Sequence, residues 1–392
     1  MSNFSRLQWW HQVVLIWLFA ILLLNISGLV GSRMLELGGG FPTEKQSVSP
    51  YSIPGIWVRW DAGNYLAIAA EGYVENPEAA GFFPLYPMLI SLVVNITGMN
   101  IVVVGFIISN LAFLFALLLL YKIARIINDD HVFAMRSVLA MMVFPTSFFY
   151  FAVYAESLYL ALALLGVYLV MKNRQSLAGA GLALGLASVA RPVGWLLDIV
   201  MLIEFLRRRK FDQKSFVSLV VGGLLSIAGI LLYIYYLYIV LGTFMAIPNA
   251  QSGWHRQWQI PFITYWEGVK TLLKISLLSD NWFLYSINIL DIIFTSFAVY
   301  IIVIAFIRAN RKEFPYSLAI YSSFALLFFL SSQNELPAPL WGMSRWVASL
   351  FPIYFLLGNL FRSKKLQVAY FVGSSILLLL FTAWWASARW IS

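Results

Sequence analysis

The residues best equipped for chemistry in this chain are a few carboxylates and arginines set among tryptophans and tyrosines. In the stretch Trp57-Val58-Arg59-Trp60-Asp61-Ala62-Gly63-Asn64-Tyr65, Asp61, Asn64 and Tyr65 stand three and four residues apart, so on a helix they share a face. Glu71 comes ten residues after Asp61, about 15 Å along a straight helix at ~1.5 Å per residue. A retaining glycoside hydrolase wants two carboxyl groups roughly 5–5.5 Å apart, and one helix turn here does not offer that pair. Further along, Gln251, His255 and Arg256 are grouped with Trp254, Trp258 and Trp266. Aromatic faces beside hydrogen-bonding groups suit a sugar, whose C–H faces stack while its hydroxyls are bonded. Glu156 in YAES, Arg191 in ARPVGW and Arg345 in MSRW complete the set, and arginine's planar fork suits phosphate. Plainer readings exist for each: a solvated acid on an amphipathic anchor, an interfacial tryptophan belt, arginines reaching for lipid headgroups.

The elements that must hold these residues are membrane helices. Of 392 residues, 61% are hydrophobic and 11% charged, with a mean hydropathy of +0.82; average soluble domains carry about a quarter charged residues. A soluble fold cannot hide that much apolar surface. The composition therefore excludes a disordered chain, a disulfide scaffold and a soluble enzyme on one anchor. Cysteine is absent, which removes disulfides, thiolate metal sites and a cysteine nucleophile. His11, His131 and His255 are too far apart for metal-ligand spacing.

An apolar run of about 20 residues crosses a bilayer. Eleven runs read as spans: 9–31, 101–126, 136–153, 155–171, 176–190, 193–206, 215–241, 283–307, 315–331, 346–361 and 366–386. The first lacks a cleavage site and is a span rather than a signal peptide. The stretch 85–98 is too short to cross and reads as an interfacial or re-entrant helix. The piece from Trp57 to Glu71, with Pro54 and Gly55 before it and Gly72 after it, is predicted as a helix in the membrane interface, its tryptophans at headgroup depth. Asp198 and Asp291 fall inside spans and read as buried pairs or as boundaries to be moved.

The net charge of +9 is a matter of topology. With a cytoplasmic N-terminus, the inner segments hold most of the 26 Lys and Arg, including the cluster at 207–210, while the outer segments are close to neutral. Basic residues collect on the side that is not translocated, so the charge is no nucleic-acid footprint. Outer segments near 32–100, 242–282 and 331–345, with turns at Glu156 and Arg191, then form one face. Three arginines at that face would fit a lipid-linked phosphate.

These residues also carry a resemblance. Trp60-Asp61 through Tyr65, Ile68 through Tyr73, Phe82-Phe83-Pro84-Leu85-Tyr86-Pro87, FPTSFFYFAVYAESLY at 144–159, ARPVGW at 190–195, the segment Ala250-Gln251 through Trp254, and MSRWVASLFP at 343–352 resemble the PIG-V family in order along most of the chain. With no large soluble domain, the chain is more similar to that family's short bacterial members. The resemblance implies a GT-C glycosyltransferase: an all-α bundle of about eleven transmembrane helices, interfacial helices in the first outer loop, and a single membrane domain over 1–392. It implies a bacterial plasma-membrane enzyme whose active site faces outside. The donor would be a sugar on polyprenyl or dolichyl phosphate, and the acceptor a hydroxyl on a glycolipid, glycan or protein. It favours mannose and matches Asp61 to the acid that serves the class as catalytic base, with Arg59, Asn64, Tyr65, Glu71, Glu156, Arg191, Gln251, His255, Arg256 and Arg345 as candidate substrate contacts.

The chemistry agrees. Transfer needs a hydroxyl deprotonated as it attacks the anomeric carbon, which a positioned carboxylate can do. The leaving phosphate needs little protonation, and cationic side chains can stabilise its developing charge. No cofactor beyond the lipid-linked sugar is required. The lone Trp-Asp, where many GT-C enzymes have paired acids, argues against a metal site. Two other classes compete. A transporter or flippase for a lipid-linked sugar would show internal repeats or broken mid-span helices, which the sequence lacks. A membrane scaffold would have no need of Asp61.

Overall fold

The computed structural model describes residues 7–38, 48–172, 177–207, 213–273, 282–335, 338–360 and 364–391. In chain order its helices are α1 (Trp9–Met34), α2 (Ala62–Glu71), α3 (Leu85–Thr97), α4 (Ile101–Ile127), α5 (His131–Met142), α6 (Glu156–Lys172), α7 (Leu177–Ala190), α8 (Asp198–Arg207), α9 (Gln213–Leu241), α10 (Ala246–Gly253), α11 (Pro261–Leu273), α12 (Trp282–Asn310), α13 (Tyr316–Leu330), α14 (Met343–Ala348), α15 (Pro352–Leu360) and α16 (Lys364–Ala386). Two three-residue strands, β1 (Arg256–Trp258) and β2 (Ser332–Asn334), pair antiparallel. The fold is all-α.

Among the described residues, helices in α1, α4, α9, α12 and α16 are long and apolar enough to cross a membrane. Other apolar runs make shorter helices, and three are broken at or just after a proline. The run 136–153 ends its helix at Met142, before Pro145, and continues as a buried irregular segment with a 3-10 turn at Ser147–Tyr150. The run 193–206 splits into a 3-10 turn, Pro192–Leu197, and α8. The run 346–361 splits at Pro352, which opens α15. Proline lacks the N–H that a helix interior needs and is tolerated only in the first turn. The stretch 85–98 forms α3, capped by Gly98 in the left-handed region.

Small residues let the helices close on one another. A methyl at Gly181 would lie 2.0 Å from the carbonyl oxygen of Gly222, and one at Gly31 would lie 2.2 Å from that of Ala383. The pairs α7–α9 and α1–α16 therefore meet backbone to backbone. A second, smaller apolar cluster joins Ile68, Tyr73 and Phe83 to Tyr233, Ala246 and Ala250, which docks α10 beside α2.

The bundle has two chemically different ends. At one, Trp9 stacks on Tyr121 at 4.5 Å, Lys122 and Lys172 lie over the Tyr168 ring, and Arg308 reaches the carbonyl of Asn359. At the other, α6 begins at Glu156, α7 ends before Arg191, and α16 ends against Arg59. The cluster at 207–210 lies largely outside the described residues.

Candidate functional site

The first outer segment departs from the expected interfacial helix. A 3-10 turn, Gly55–Trp57, comes first, and α2 starts only at Ala62. Trp57 is buried and donates its indole N–H to Asn25 Oδ1 at 2.9 Å. Buried polar groups need such partners, so this segment is core rather than a surface anchor. Trp60 is in the left-handed region, φ 51, and this kink sets Asp61 at the helix start. From there Asp61, Asn64 and Tyr65 all face one cavity.

That cavity has a volume of about 1240 Å³. It gathers Asp61, Asn64, Tyr65, Arg191, Gln251, His255, Arg256 and Arg345 from four separate stretches of chain. Its walls are aromatic, with Trp60, Trp254, Trp258, Trp341, Trp346 and Trp390. Gly81 makes room for Gln251, whose Nε2 would lie 2.7 Å from a methyl there.

Arg345 is the hub. Its Nη1 donates to Asp61 Oδ2 at 2.6 Å and its Nε to Glu156 Oε1 at 2.5 Å. Glu156, 1% exposed, also pairs with Arg191 Nη1 at 3.0 Å. Its Oε2 has no partner among the described residues. Burial opposes the charge on Arg345, yet Glu156 and then Asp61 hold its proton well above the ordinary arginine range. At 8% and 9% exposed, Arg191 and Arg345 do not reach out to headgroups. Arg256 lies over Trp346, 4.7 Å from the ring centre, and donates to Ser332 Oγ and to the carbonyl of Trp341. Burial lowers its pKa to about 10, so it remains a cation at neutral pH. Burial likewise pushes the Tyr65 phenol far up, with Glu156 adding to the effect.

Three candidates stand elsewhere. Glu156 lies behind Arg345 and is not part of the cavity lining. Glu71 is exposed at the far end of α2. Arg59 is fully buried and donates to the backbone carbonyls of Gly55, Val58, Pro50 and Ala386; burial lowers its pKa to about 10. Its site is a cage of peptide oxygens, away from the cavity.

Other residues that the sequence did not offer as site candidates bear on the site or its surroundings. Asp291, buried on α12, accepts from the backbone N–H of Ser344 at 2.7 Å and of Gly342 at 3.3 Å. Through these two bonds it pins the start of α14 and so places Arg345. An acid inside an apolar run was the available signal. Asp198 opens α8, where a helix start favours a carboxylate. Tyr154 Oη accepts the N–H of Asp61 and donates to the carbonyl of Arg59, both at 3.2 Å. Among the described residues, no three of His, Asp and Glu stand together as metal ligands.

A family model described as Mannosyltransferase (PIG-V) matches residues 11–301. GPI mannosyltransferase 2 of Yarrowia lipolytica is 26% identical over 222 residues, covering 53% of this chain and 59% of that protein. The chain thus spans less than two thirds of that relative's length. Among solved structures, ArnT from Cupriavidus metallidurans, bound to undecaprenyl phosphate, matches with a TM-score of 0.55 at 14% identity, over 93% of this chain and 63% of ArnT. The fold is that of the GT-C class. The oligosaccharyltransferase of Archaeoglobus fulgidus in its apo form matches at a TM-score of 0.44 and 12% identity, over 94% and 56% of the two chains.

Proposed function

The chain belongs to the PIG-V mannosyltransferase family, and on that premise we propose that it is an inverting glycosyltransferase. It moves a hexose, mannose by family, from a polyprenyl-phosphate donor to a hydroxyl acceptor. The observation that carries this reading is the contact of Asp61 with Arg345 in a cavity that Arg191 and Arg256 also face.

In the proposed reaction the acceptor hydroxyl attacks the anomeric carbon as the bond from that carbon to the phosphate oxygen breaks. Asp61 takes the hydroxyl proton. Its Oδ2 is held by Arg345, and the partly exposed carboxylate faces the cavity. The departing polyprenyl phosphate carries the negative charge, which Arg345, Arg191 and Arg256 receive. Fixed cations in a site of low water content stabilise such charge without reorganising. The aromatic walls and Gln251 suit the sugar. The basic end of the bundle faces the cytoplasm and the cavity faces outside, following the bias of Lys and Arg.

The test is to incubate purified protein with undecaprenyl-phosphoryl mannose, glucose, galactose and an amino sugar, and to measure release of undecaprenyl phosphate. Turnover that Asp61→Asn abolishes is expected. No turnover with any donor would sink the reading.

A further inference from the structure

The peptide that follows α16 returns to the carboxylate of Asp61, and the two residues before Asp61 both grip it. Arg59 directs Nε and Nη2 at the carbonyl oxygen of Ala386, at 3.1 and 2.6 Å. Trp60 meets Trp390 edge to face, ring centres 4.9 Å apart at 84°. Trp390 is 7% exposed and packs also on Trp341 at 5.4 Å, whose carbonyl holds Arg256. The same peptide is tied at Ser387, whose carbonyl accepts the N–H of Gly38 at 2.8 Å.

What this grip holds is unusual. Trp60, with φ 51, is a bulky residue in the left-handed region, where such residues are rare. A conformation of this kind persists only where its surroundings over-determine it. Rotation about the N–Cα bond of Trp60 carries every atom that follows, so its φ decides where the Asp61 carboxylate points. On one side of the kink Arg59 is locked to Ala386, and at the kink itself the indole is wedged by Trp390. Both partners lie beyond residue 301, where the family match ends.

We infer that Trp390 is a positioning residue for Asp61: by wedging Trp60 in its left-handed conformation it aims the carboxylate into the cavity. The inference rests on the reading of Asp61 as the base. A misplacement of about 1 Å in a catalytic group can cost ~10²-fold in rate, so the wedge acts on kcat.

The test uses the full chain in lipid nanodiscs, with Trp390→Ala and the conservative Trp390→Phe. Hydrogen exchange needs no turnover. In Trp390→Ala, amides of residues 60–65 should exchange several-fold faster, while those of α6 exchange as in the wild type. In transfer from undecaprenyl-phosphoryl mannose, Trp390→Ala should lower kcat between about ten- and a hundred-fold with donor KM nearly unchanged, and Trp390→Phe should restore most of it. In an Asp61→Asn background, Trp390→Ala should cost nothing further. Unchanged exchange at 60–65, a raised KM at constant kcat, or an equal loss in both backgrounds would overturn the inference. Wild-type turnover in Asp61→Asn would instead remove the base assignment, and the exchange result would still report on the wedge.

Discussion

Arg345 Nη1 stands 2.6 Å from Asp61 Oδ2, joining residues 284 positions apart in the chain. Through Nε the same guanidinium holds Glu156, so one side chain fixes two carboxylates at different depths. Asp61, at the cavity wall, is open to a substrate. Glu156, behind it, keeps Arg345 charged and holds Arg191 in place. This division separates a carboxylate that reacts from one that supports.

Asp61→Asn keeps the size of the side chain and removes the base. General-base contributions are typically ~10²–10⁴-fold, so kcat should fall by at least about two orders of magnitude. Binding of undecaprenyl-phosphoryl mannose should persist, since the arginines are untouched. A direct transfer assay with an equilibrium binding measurement checks both.

Arg345→Ala should be costly in a second way. It leaves buried Glu156 with Arg191 alone and Asp61 with no cation, and breaking a buried pair costs about 3–5 kcal/mol. Denaturation in detergent should show a loss of that order. Arg345→Lys keeps the charge but cannot serve both carboxylates, so it should retain more stability and still lose at least tenfold in kcat/KM. If Arg345→Ala were as stable and active as the wild type, the hub role would fail.

Burial lowers the pKa of Arg256 to about 10, so its charge is expected to weaken only as pH nears that value. Below that pH it is a cation and can hold phosphate. Above it, the neutral side chain cannot. Donor affinity should stay flat from pH 7 to 9 and weaken near pH 10, and Arg256→Gln, already neutral, should show no step there. Wild-type donor affinity in Arg256→Gln at pH 7 would remove Arg256 from the phosphate site.

Orientation can be read with single cysteines, because the chain has none of its own. Asn249→Cys, exposed beside the cavity, should react with an impermeant maleimide in intact cells. Lys214→Cys, exposed at the start of α9, should react only after lysis. The reverse pattern would invert the topology.

Most of the cavity was legible in the sequence because polar and charged residues in an apolar chain are conspicuous. Asp61, Asn64, Tyr65, Arg191, Gln251, His255, Arg256 and Arg345 all meet at one cavity. Arg59 and Glu71 were equally conspicuous and lie elsewhere. Type alone does not say whether an arginine faces a ligand or a cage of peptide oxygens. Hydropathy windows averaged across Pro145 and Pro352, so runs that read as single spans are pieces joined by turns. The left-handed Trp60 left no trace, since its conformation is imposed by Trp390 from the other end of the chain. Asp291 was visible but not its use at α14, because the N–H groups of Gly342 and Ser344 that it holds are ones any sequence would supply.

The short ladder between β1 and β2 sets a limit on how this site can vary. It pairs Arg256 with Asn334 and Trp258 with Ser332. Side chains alternate across a strand, so a slip of one residue turns each to the opposite face. A single insertion or deletion next to Gln257 would carry Arg256 off Trp346 and out of the cavity, though every residue were still present. The intervening 73 residues between Trp258 and Ser332 carry α11, α12 and α13. The arithmetic of register therefore singles out three residues on each strand that must be counted.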